Sequence, residues 1–324
     1  MGVISSQERN DMRKRLTTST EYSIANAVAD FIACCEGKNL SRETIIFYRH
    51  SLAHLTRFFP DGTSLKEVTT AHIRELLVHM GKGNSPATVN HTLAVVKRLF
   101  KFHIAEGNLT TNVAESVEKL RTEKHVIQTF SQEQLQAILN TCERDFLGIR
   151  DRAALLLLMD TGLRSSELCG IEIEHLHLDT QSIWVMGKGR KARVVPFGES
   201  VKKSLLRYLT ARKEVNCKSL FVTHYGDRLN KDRLGEMVRR RGRQAGITGV
   251  RCSPHTFRHT AAVNFLRSGG DTFSLQRFLG HSSQEMTAHY CESLSAEDVQ
   301  AKHRLFSPVD NMKLSEVKSR KRLK

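Results

Sequence analysis

Apolar residues in the first third of the chain recur at intervals of three and four, which is the spacing of one face of an α-helix. The clearest segment runs from 85 to 107, where Ser85 is a suitable N-cap, Pro86 fits the first helical position and Gly107 can end the helix. Its apolar stripe consists of Val89, Leu93, Val96, Phe100 and Ile104. The pattern predicts a small all-helical domain over residues 21–112.

The periodicity breaks in the polar stretch "TTNVAESVEKLRTEKHVIQ", which predicts a linker within residues 113–128. A second domain is expected over residues 129–308. The polar segments 1–20 and 309–324 lack this periodicity, and the second ends in the basic stretch "KSRKRLK". We expect both terminal segments to be flexible.

Helical signals resume in the second domain. In "SQEQLQAIL", Ser131 and Gln134 fit a capping box. The stretch "RDRAALLLLMDTG" predicts a buried helix that stops at Gly162. In "SPHTFRHTAAVNFLRSGG", Ser253 is a suitable cap and Pro254 fits the first helical position.

Around residues 173–197 the apolar period changes to that of β-strands. "IEHLHLD", "SIWVMG" and "ARVVPF" predict three short strands, and a Gly-Lys-Gly-Arg turn at 187–190 joins the last two. The predicted fold is therefore mainly α with a small antiparallel β-sheet (α+β), in which a helical domain precedes a mixed α/β domain.

The chain carries 50 Lys and Arg against 34 Asp and Glu, a net charge of +16. This excess favours a polyanionic partner, most simply nucleic acid, although charge alone does not separate DNA from RNA or from an anionic membrane surface. Apolar runs stay well short of the ~20 residues of a membrane span, and the N-terminus lacks a signal-peptide core, so we expect a cytoplasmic protein. The seven cysteines form no CxxC pair, and neither a metal nor a cofactor is expected.

The stretch "GHSSQEMTAHY", residues 280–290, places Tyr290 nine residues after His281. A free phenol has a pKa near ~10 and is a poor nucleophile at neutral pH. To attack a phosphodiester it would need arginines that stabilise the charged transition state, together with groups that accept and donate protons. Candidates for each task occur in the second domain.

Arg164 lies in "TGLRSSEL", at a junction of two predicted helices that would hold its side chain rigidly. Glu167, three residues on, could hold a backbone amide or the guanidinium. An ordinary capped helix start with a surface arginine fits these residues equally well. Lys188 sits at the tip of the predicted hairpin, where a solvated turn residue is the simpler interpretation, although an exposed lysine there could also reach DNA and donate a proton.

His255 and Arg258 in "HTFRH" lie three residues apart, on one face of the first turn of a helix, where free amides favour an anion. A basic helix start without function is the alternative, although cations are electrostatically disfavoured there. The adjacent His259 is expected to point elsewhere on the helix. His281 follows Gly280 in the tight turn "LGHSS", where a lone histidine is most often structural.

The order and spacing of six residues together resemble the tyrosine recombinase (phage integrase) family. That family has an arginine in a "TGLR..E" box, a hairpin lysine, H-x-x-R, "LGH" and a tyrosine nine residues after that histidine. The corresponding residues are Arg164, Lys188, His255, Arg258, His281 and Tyr290. The resemblance covers residues 20–306 in an Xer-like two-domain layout, with a helical core-binding domain and then a catalytic domain. H-x-x-R alone would carry no weight, whereas the full set is highly specific.

The resemblance implies that Tyr290 attacks the scissile phosphate, forming a 3′-phosphotyrosyl bond and freeing a 5′-hydroxyl. Arg164 and Arg258 would clamp the non-bridging oxygens, and His281 would hydrogen-bond the phosphate. In the same scheme, another strand's 5′-hydroxyl can reverse the step without metal or ATP, because the covalent bond conserves the phosphodiester energy.

Proton transfer in that scheme would use two further residues. Lys188 would protonate the departing 5′-oxygen, and His255 would act as acid and base near the tyrosine.

A site-specific recombinase of double-stranded DNA is the function that the resemblance implies. In this family four protomers assemble on two DNA sites as a homotetramer, or with a related recombinase or accessory protein, and "SAEDVQAKHRLF" (295–306) would dock on a neighbour. The extension past a minimal Xer-type end favours integration, excision or transposition of a mobile element over Xer-like resolution of chromosome or plasmid dimers. A type IB topoisomerase and a non-catalytic DNA-binding regulator are alternatives from other classes.

Overall fold

A computed structural model describes residues 22–122, 128–187, 192–212, 215–281, 283–291 and 293–306. The chain divides into two compact units, 1–124 and 125–324. Their boundary falls inside the 113–128 segment predicted as a linker. The predicted flexible ends, 1–20 and 309–324, lie outside the described residues.

The first unit is helical, as its apolar periodicity predicts. Its α-helices are α1 (Ile24–Gly37), α2 (Arg42–Phe58), α3 (Thr70–Gly81) and α4 (Pro86–Ala105), with a 3-10 turn at Leu65–Glu67. Before each α-helix a serine or threonine accepts a hydrogen bond from a first-turn amide, which satisfies a donor that the helix itself leaves unpaired. Ser85 and Pro86 occupy their predicted positions, and Gly107 follows α4 with a φ of +76°.

The core of this unit is formed by the inward faces of the four helices. Its fully buried residues include Leu52, Leu55, Ile73, Leu76, Leu93 and Leu99. Each such side chain contributes about 1.5–3 kcal/mol through burial. Ala114 and Val117 are buried in the same core, so the beginning of the 113–128 segment packs on the helical unit.

The second unit combines helices with a small sheet. Its helices are α5 (Gln132–Asn140), α6 (Phe146–Thr161), α7 (Ser165–Gly170), α8 (Glu199–Arg212), α9 (Lys231–Gln244), α10 (Pro254–Arg267), α11 (Thr272–Leu279), α12 (Glu285–Cys291) and α13 (Ala296–Phe306). Its strands are β1 (Leu176–His177), β2 (Ser182–Met186) and β3 (Ala192–Pro196), and a 3-10 turn precedes β1 at Ile173–His175. This composition confirms the predicted α+β fold class.

The three strands form an antiparallel sheet in the order β1-β2-β3. Ile183 is paired with Val195, and both side chains are buried against the core of the second unit. On the other face Trp184 is paired with Val194, and both are exposed. Successive side chains of a strand point to opposite faces, so this register assigns every strand residue to one side of the sheet.

Local signals at the helix ends are confirmed in the second unit. The Ser131 hydroxyl accepts from the Gln134 amide at 3.3 Å, and the Gln134 side chain accepts from the Ser131 amide at 3.0 Å. Helix α6 ends at Gly162 with a φ of +59°, and α11 ends at Gly280 with a φ of +66°. Both positions are left-handed, a conformation that glycine adopts without a Cβ penalty.

Among the described residues, every helix is too short or too polar to cross a membrane.

Candidate active site

Arg164 immediately precedes α7, and Glu167 in the first turn of that helix holds it. The Glu167 carboxylate accepts from the Arg164 backbone amide at 2.8 Å and from its guanidinium at 3.0 Å. Both contacts that the sequence suggested are therefore present together. Glu167 is buried, whereas about a third of the Arg164 side chain is exposed. The buried carboxylate therefore anchors an arginine that is still partly accessible to a ligand.

Arg193 of β3 pairs with the same carboxylate through both of its terminal nitrogens. Nη1 donates to Glu167 Oε1 at 2.7 Å, and Nη2 donates to Oε2 at 3.0 Å. Burial acts to raise the pKa of the Glu167 carboxyl, but hydrogen bonds and charge from Arg193 and Arg164 outweigh it and hold that pKa below its ordinary value. Glu167 is thus an ionised anchor for two arginines.

Arg258 lies in the first two turns of α10 and is only 3% exposed. Its Nη1 donates to the Gly162 carbonyl at 2.7 Å, and its Nη2 donates to the Leu279 carbonyl at 2.9 Å. Arg164 makes a longer contact, 3.5 Å, with the same Leu279 oxygen. Carbonyls at the ends of α6 and α11 therefore position Arg258, and the Leu279 oxygen brings the two arginines together.

The surroundings of Arg258 disfavour additional positive charge. Burial and the charge of Arg164 lower the pKa of the Arg258 guanidinium to about 10, which still leaves it charged at neutral pH. A buried cation of this kind is costly unless an anion neutralises it. Arg164 and Arg258 together are therefore suited to bind an anionic ligand.

His281 is bound through both ring nitrogens. Arg258 Nη2 lies 2.8 Å from Nε2, and Thr287 Oγ1 lies 2.9 Å from Nδ1. Because a guanidinium only donates, Nε2 must accept, which leaves the proton on Nδ1 for Thr287. Burial and the charges of Arg258 and Arg164 lower the pKa of His281 to about 4, in agreement with a neutral ring.

His255 and His259 lie side by side on α10, with ring centroids 4.1 Å apart. The His259 ring is also 5.4 Å from the Tyr290 ring. The prediction that His259 points elsewhere is wrong, because residues i and i+4 share a helix face. Burial lowers the pKa of His259 to about 4, with neighbouring His255 and Arg258 adding to the effect, and its buried Nδ1 has no partner among the described residues.

The pKa of His255 is also lowered, first by burial and then by the charges of Arg258, Arg164 and Arg251. A neutral imidazole offers a nitrogen lone pair to a proton. His255 is therefore in the protonation state that a general base requires at neutral pH.

Tyr290 lies in α12 and is only 4% exposed. It belongs to an apolar cluster with residues of α10 and α11, including Ala262, Leu266 and Leu279. Its ring is stacked on that of His281, with centroids 6.0 Å apart. Burial raises the pKa of the Tyr290 hydroxyl, while the charge and a hydrogen bond from Arg258 act in the opposite direction.

A pocket of about 330 Å³ opens beside these residues. Its lining consists of Arg164, Ser165, Ser166, Lys231, Pro254, His255 and Arg258. Arginine, lysine and serine donors around one concave surface, at the start of α10, form a suitable site for a tetrahedral oxyanion. Tyr290 lies in the apolar cluster and is not among the described residues that line the pocket. Of the six predicted residues, Lys188 lies outside the described part of the chain, and the other five are brought together here.

Three site residues were missed by sequence reasoning. His259 could have been found from its i, i+4 spacing to His255. Arg193 lies two residues before Val195 on β3, so both side chains point to the core face of the sheet. An arginine on that face indicates a buried partner of opposite charge. Lys231 carries no comparable signal, because a lysine at a helix start is ordinarily a solvated residue.

Two protein-family models match this chain. The model described as "Phage integrase family" matches residues 128–297, more than half of the chain, and "Phage integrase, N-terminal SAM-like domain" matches residues 33–107. The chain belongs to the phage integrase family, the tyrosine recombinases. The resemblance stated from the sequence is thereby confirmed.

Other tyrosine recombinases are similar along most of their length. Tyrosine recombinase XerC of Natranaerobius thermophilus is 30% identical, covering 82% of this chain and 93% of that protein. The XerC protein of Corynebacterium glutamicum is 35% identical, covering 77% and 81% respectively.

Solved structures of this family share the fold. The Tn1549 transposon integrase in complex with transposon right end DNA has a TM-score of 0.75 at 20% identity, covering 88% of this chain and 99% of that one. A λ integrase dimer bound to a COC′ core site has a TM-score of 0.70 at 20% identity, covering 82% and 97%.

Proposed function

We propose that this tyrosine recombinase is a site-specific DNA recombinase that cleaves and rejoins double-stranded DNA through a 3′-phosphotyrosyl bond to Tyr290. The observation that carries the proposal is the convergence of Arg164 and Arg258 on the Leu279 carbonyl, at a cationic pocket beside the tyrosine. A phosphodiester presents non-bridging oxygens that match paired guanidinium donors.

Arg164 and Arg258 bind the scissile phosphate in this mechanism. Both are anchored by protein acceptors before substrate arrives, so little reorganisation is needed when charge builds up in the transition state. Glu167 and Arg193 act through Arg164 and are positioning residues. Lys231, on the pocket wall, adds positive charge where the phosphate enters.

Tyr290 must lose a proton as it attacks, and His255 accepts it in this proposal. The lowered pKa of His255 keeps the imidazole neutral and ready to accept. The His259 ring lies next to the rings of both His255 and Tyr290 and helps to fix their relative positions. Lys188 protonates the leaving 5′-oxygen, as the family resemblance implies.

Before substrate binds, His281 accepts a hydrogen bond from Arg258 and helps to position it. Both of its ring nitrogens are already bonded, so a bond from His281 to the phosphate requires Nε2 to release Arg258 and take up a proton or change tautomer. Arg258 would then turn its freed Nη2 to the same phosphate. A single exchange thus supplies two new donors to the substrate.

Access to the nucleophile requires a movement of α12. Tyr290 is only 4% exposed and is not among the described residues that line the pocket. We infer that DNA binding displaces α12 and brings Tyr290 forward, and that the phenol becomes a nucleophile only in the assembled complex.

Four copies on two DNA sites form the proposed assembly. Helix α13 exposes Val299 and Phe306, whose side chains are 58% and 65% accessible, and these apolar residues suit docking on a neighbouring protomer. A λ integrase tetramer bound to a Holliday junction has a TM-score of 0.71 with this chain at 18% identity.

Integration or excision of a mobile element is the biological use that the sequence favoured. Xer-like resolution of chromosome or plasmid dimers is the second candidate, and the XerC relatives at 30% and 35% identity favour it. Sequencing the DNA that flanks the gene distinguishes these two uses, because short repeats bounding an element are expected only for a mobile element.

Strand cleavage is tested with nicked suicide substrates made from DNA that flanks the gene. A covalent protein–DNA adduct on a denaturing gel is the expected result for the wild type. Relaxation of a supercoiled plasmid that lacks any specific site would instead indicate a type IB topoisomerase. DNA binding without an adduct on any flanking sequence would indicate a non-catalytic regulator.

A further inference from the structure

One buried carboxylate in the second unit is shared by three arginines. Asp151 of α6 is fully buried and accepts from Arg150 at 2.6 Å, from Arg241 at 2.8 Å and from Arg240 at 3.0 Å. Arg150 and Arg241 are themselves only about 6% exposed. Two surplus positive charges therefore lie in or next to the protein interior.

Such a surplus is unfavourable without compensation. Burying a cation costs several kcal/mol unless an opposite charge and hydrogen bonds balance it. Among the described residues, Asp151 is the one carboxylate that forms ion pairs with these three guanidiniums. The free energy of the cluster would therefore fall if an anion bound beside it.

A pocket of about 330 Å³ lies where that anion would be needed. Arg150 and Arg240 line it together with Arg233, Thr223 and His224, and Glu236 is the one acidic residue among its described lining residues. Arg150 uses three of its five N–H groups on Asp151 and the Val222 carbonyl, which leaves two for a ligand. The pocket thus presents a buried guanidinium, two more exposed ones and a threonine hydroxyl.

This pocket is separate from the catalytic one. None of the described residues lines both pockets. Lys231 lines the catalytic pocket and Arg233 lines this one, and two positions on an α-helix differ by about 200°, so these residues lie on opposite sides of α9. A ligand in one pocket therefore does not occupy the other.

We propose that the pocket between α6 and α9 is a second phosphate-binding site, which takes a tetrahedral oxyanion on Arg150, Arg233 and Arg240. Paired guanidinium donors match the geometry of phosphate oxygens. The volume accommodates the anion together with several waters, at about 30 Å³ each. The phosphate comes either from the DNA backbone or from a free phosphate compound, and this proposal is independent of strand cleavage at Tyr290.

Calorimetric titration of the full chain with inorganic phosphate, at constant ionic strength, tests the site. Wild type is expected to bind at two sites, because the catalytic arginines also hold phosphate. The double variant Arg233→Ser, Arg240→Ser is expected to lose one site or weaken it at least tenfold. Arg239→Ser is the matched control, because this exposed arginine lies on the same helix but does not line the pocket.

The single variant Arg233→Ser is not expected to impair folding, because the Arg233 side chain has no hydrogen bond or ion pair among the described residues, and the bond from its backbone amide to Asn230 is kept. It is expected to weaken the same site while the thermal midpoint in chloride stays unchanged. Equal stoichiometry and affinity in wild type, the double variant and Arg239→Ser would overturn the proposal, as would a single phosphate site in wild type that only Arg164→Ala removes.

DNA binding distinguishes the two sources of phosphate. If a backbone phosphate occupies the pocket, the double variant binds flanking DNA more weakly than Arg239→Ser does, and the slope of log affinity against log salt falls by about one. If the pocket takes a free phosphate compound, DNA affinity matches that of Arg239→Ser while inorganic phosphate binding is lost. Cleavage of the suicide substrate at saturating protein stays at the wild-type rate in both cases.

Discussion

Arg193 forms a bidentate ion pair with Glu167, with nitrogen–oxygen distances of 2.7 and 3.0 Å. The same carboxylate accepts hydrogen bonds from the backbone amide and the guanidinium of Arg164. A strand and a helix start are thereby joined at one buried group. The position of Arg164, which binds the scissile phosphate in the proposed mechanism, depends on Arg193, whose side chain is on the core side of the sheet.

Arg193→Lys is expected to slow strand cleavage by on the order of 10²-fold, because misplacement of a positioned group by about 1 Å has an effect of that size. Lysine keeps the charge but offers no planar fork to both carboxylate oxygens. The measurement is the single-turnover rate of adduct formation on the suicide substrate, together with the affinity for the same DNA.

Arg207→Ala provides the control for this experiment, because Arg207 is an exposed arginine on α8. DNA affinity is expected to stay within about threefold of wild type in both variants. A cleavage rate in Arg193→Lys equal to that of Arg207→Ala would show that the fork on Glu167 does not position Arg164.

Tyr290→Phe is expected to abolish the covalent adduct, because the variant removes the oxygen that attacks the phosphate in the proposed mechanism. The ring remains in its apolar cluster, so the thermal midpoint should change by no more than a few degrees. Tyr225→Phe, at a tyrosine that is 75% exposed, is the matched control and should form adduct at the wild-type rate. An adduct that persists in Tyr290→Phe would mean that another residue is the nucleophile.

Much of the fold was predictable because its signals are local. The capping box at Ser131 and Gln134, the stop at Gly162 and the three strands each depend on a few neighbouring residues. The resemblance predicted the candidate site residues in the same way, since each motif is a short string with its own spacing. Within the described residues, the structure places five of those six together.

Contacts between distant segments were not predictable. The pairing of Arg193 with Glu167, and the bonds from Arg258 to Gly162 and Leu279, depend on how β3, α6 and α11 pack on one another. His259 is a different case, since its spacing to His255 was visible and was misinterpreted. The burial of Tyr290 also follows from packing, because nothing in "EMTAHYC" distinguishes an exposed tyrosine from a covered one.

Acid is expected to destabilise the folded protein between about pH 6.5 and 4. Burial, followed by neighbouring charges, lowers the pKa of His259 and His281 to about 4, whereas a histidine in the unfolded chain titrates near 6.5. As the pH falls through this window, the unfolded state binds protons that the folded state does not, so the free energy of unfolding decreases. Urea unfolding at a series of pH values measures this slope.

His281→Asn should make that pH dependence shallower, because asparagine takes up no proton in the unfolded state. His303→Asn, at an exposed histidine of α13, serves as the comparison and should leave the slope close to that of wild type. Identical slopes in the two variants would indicate that His281 does not contribute to acid sensitivity.

Gly280→Ala is expected to damage both stability and catalysis, whereas Gly246→Ala should damage stability alone. Both glycines have nearly the same left-handed backbone, with φ values of +66° and +68°, so each substitution costs about 1–2 kcal/mol of folding free energy. At Gly246 a new Cβ would meet nothing within 4 Å, but at Gly280 it would lie 2.8 Å from Arg193 Nη1.

The clash at Gly280 must displace the arginine that holds Glu167, so cleavage is expected to fall on the order of 10²-fold only in Gly280→Ala. Urea unfolding and single-turnover adduct formation, compared between the two alanine variants, separate backbone strain from displacement of Arg193. Equal cleavage rates at equal stability would show that Arg193 tolerates the new methyl group, and that the close approach of Gly280 serves the fold rather than the site.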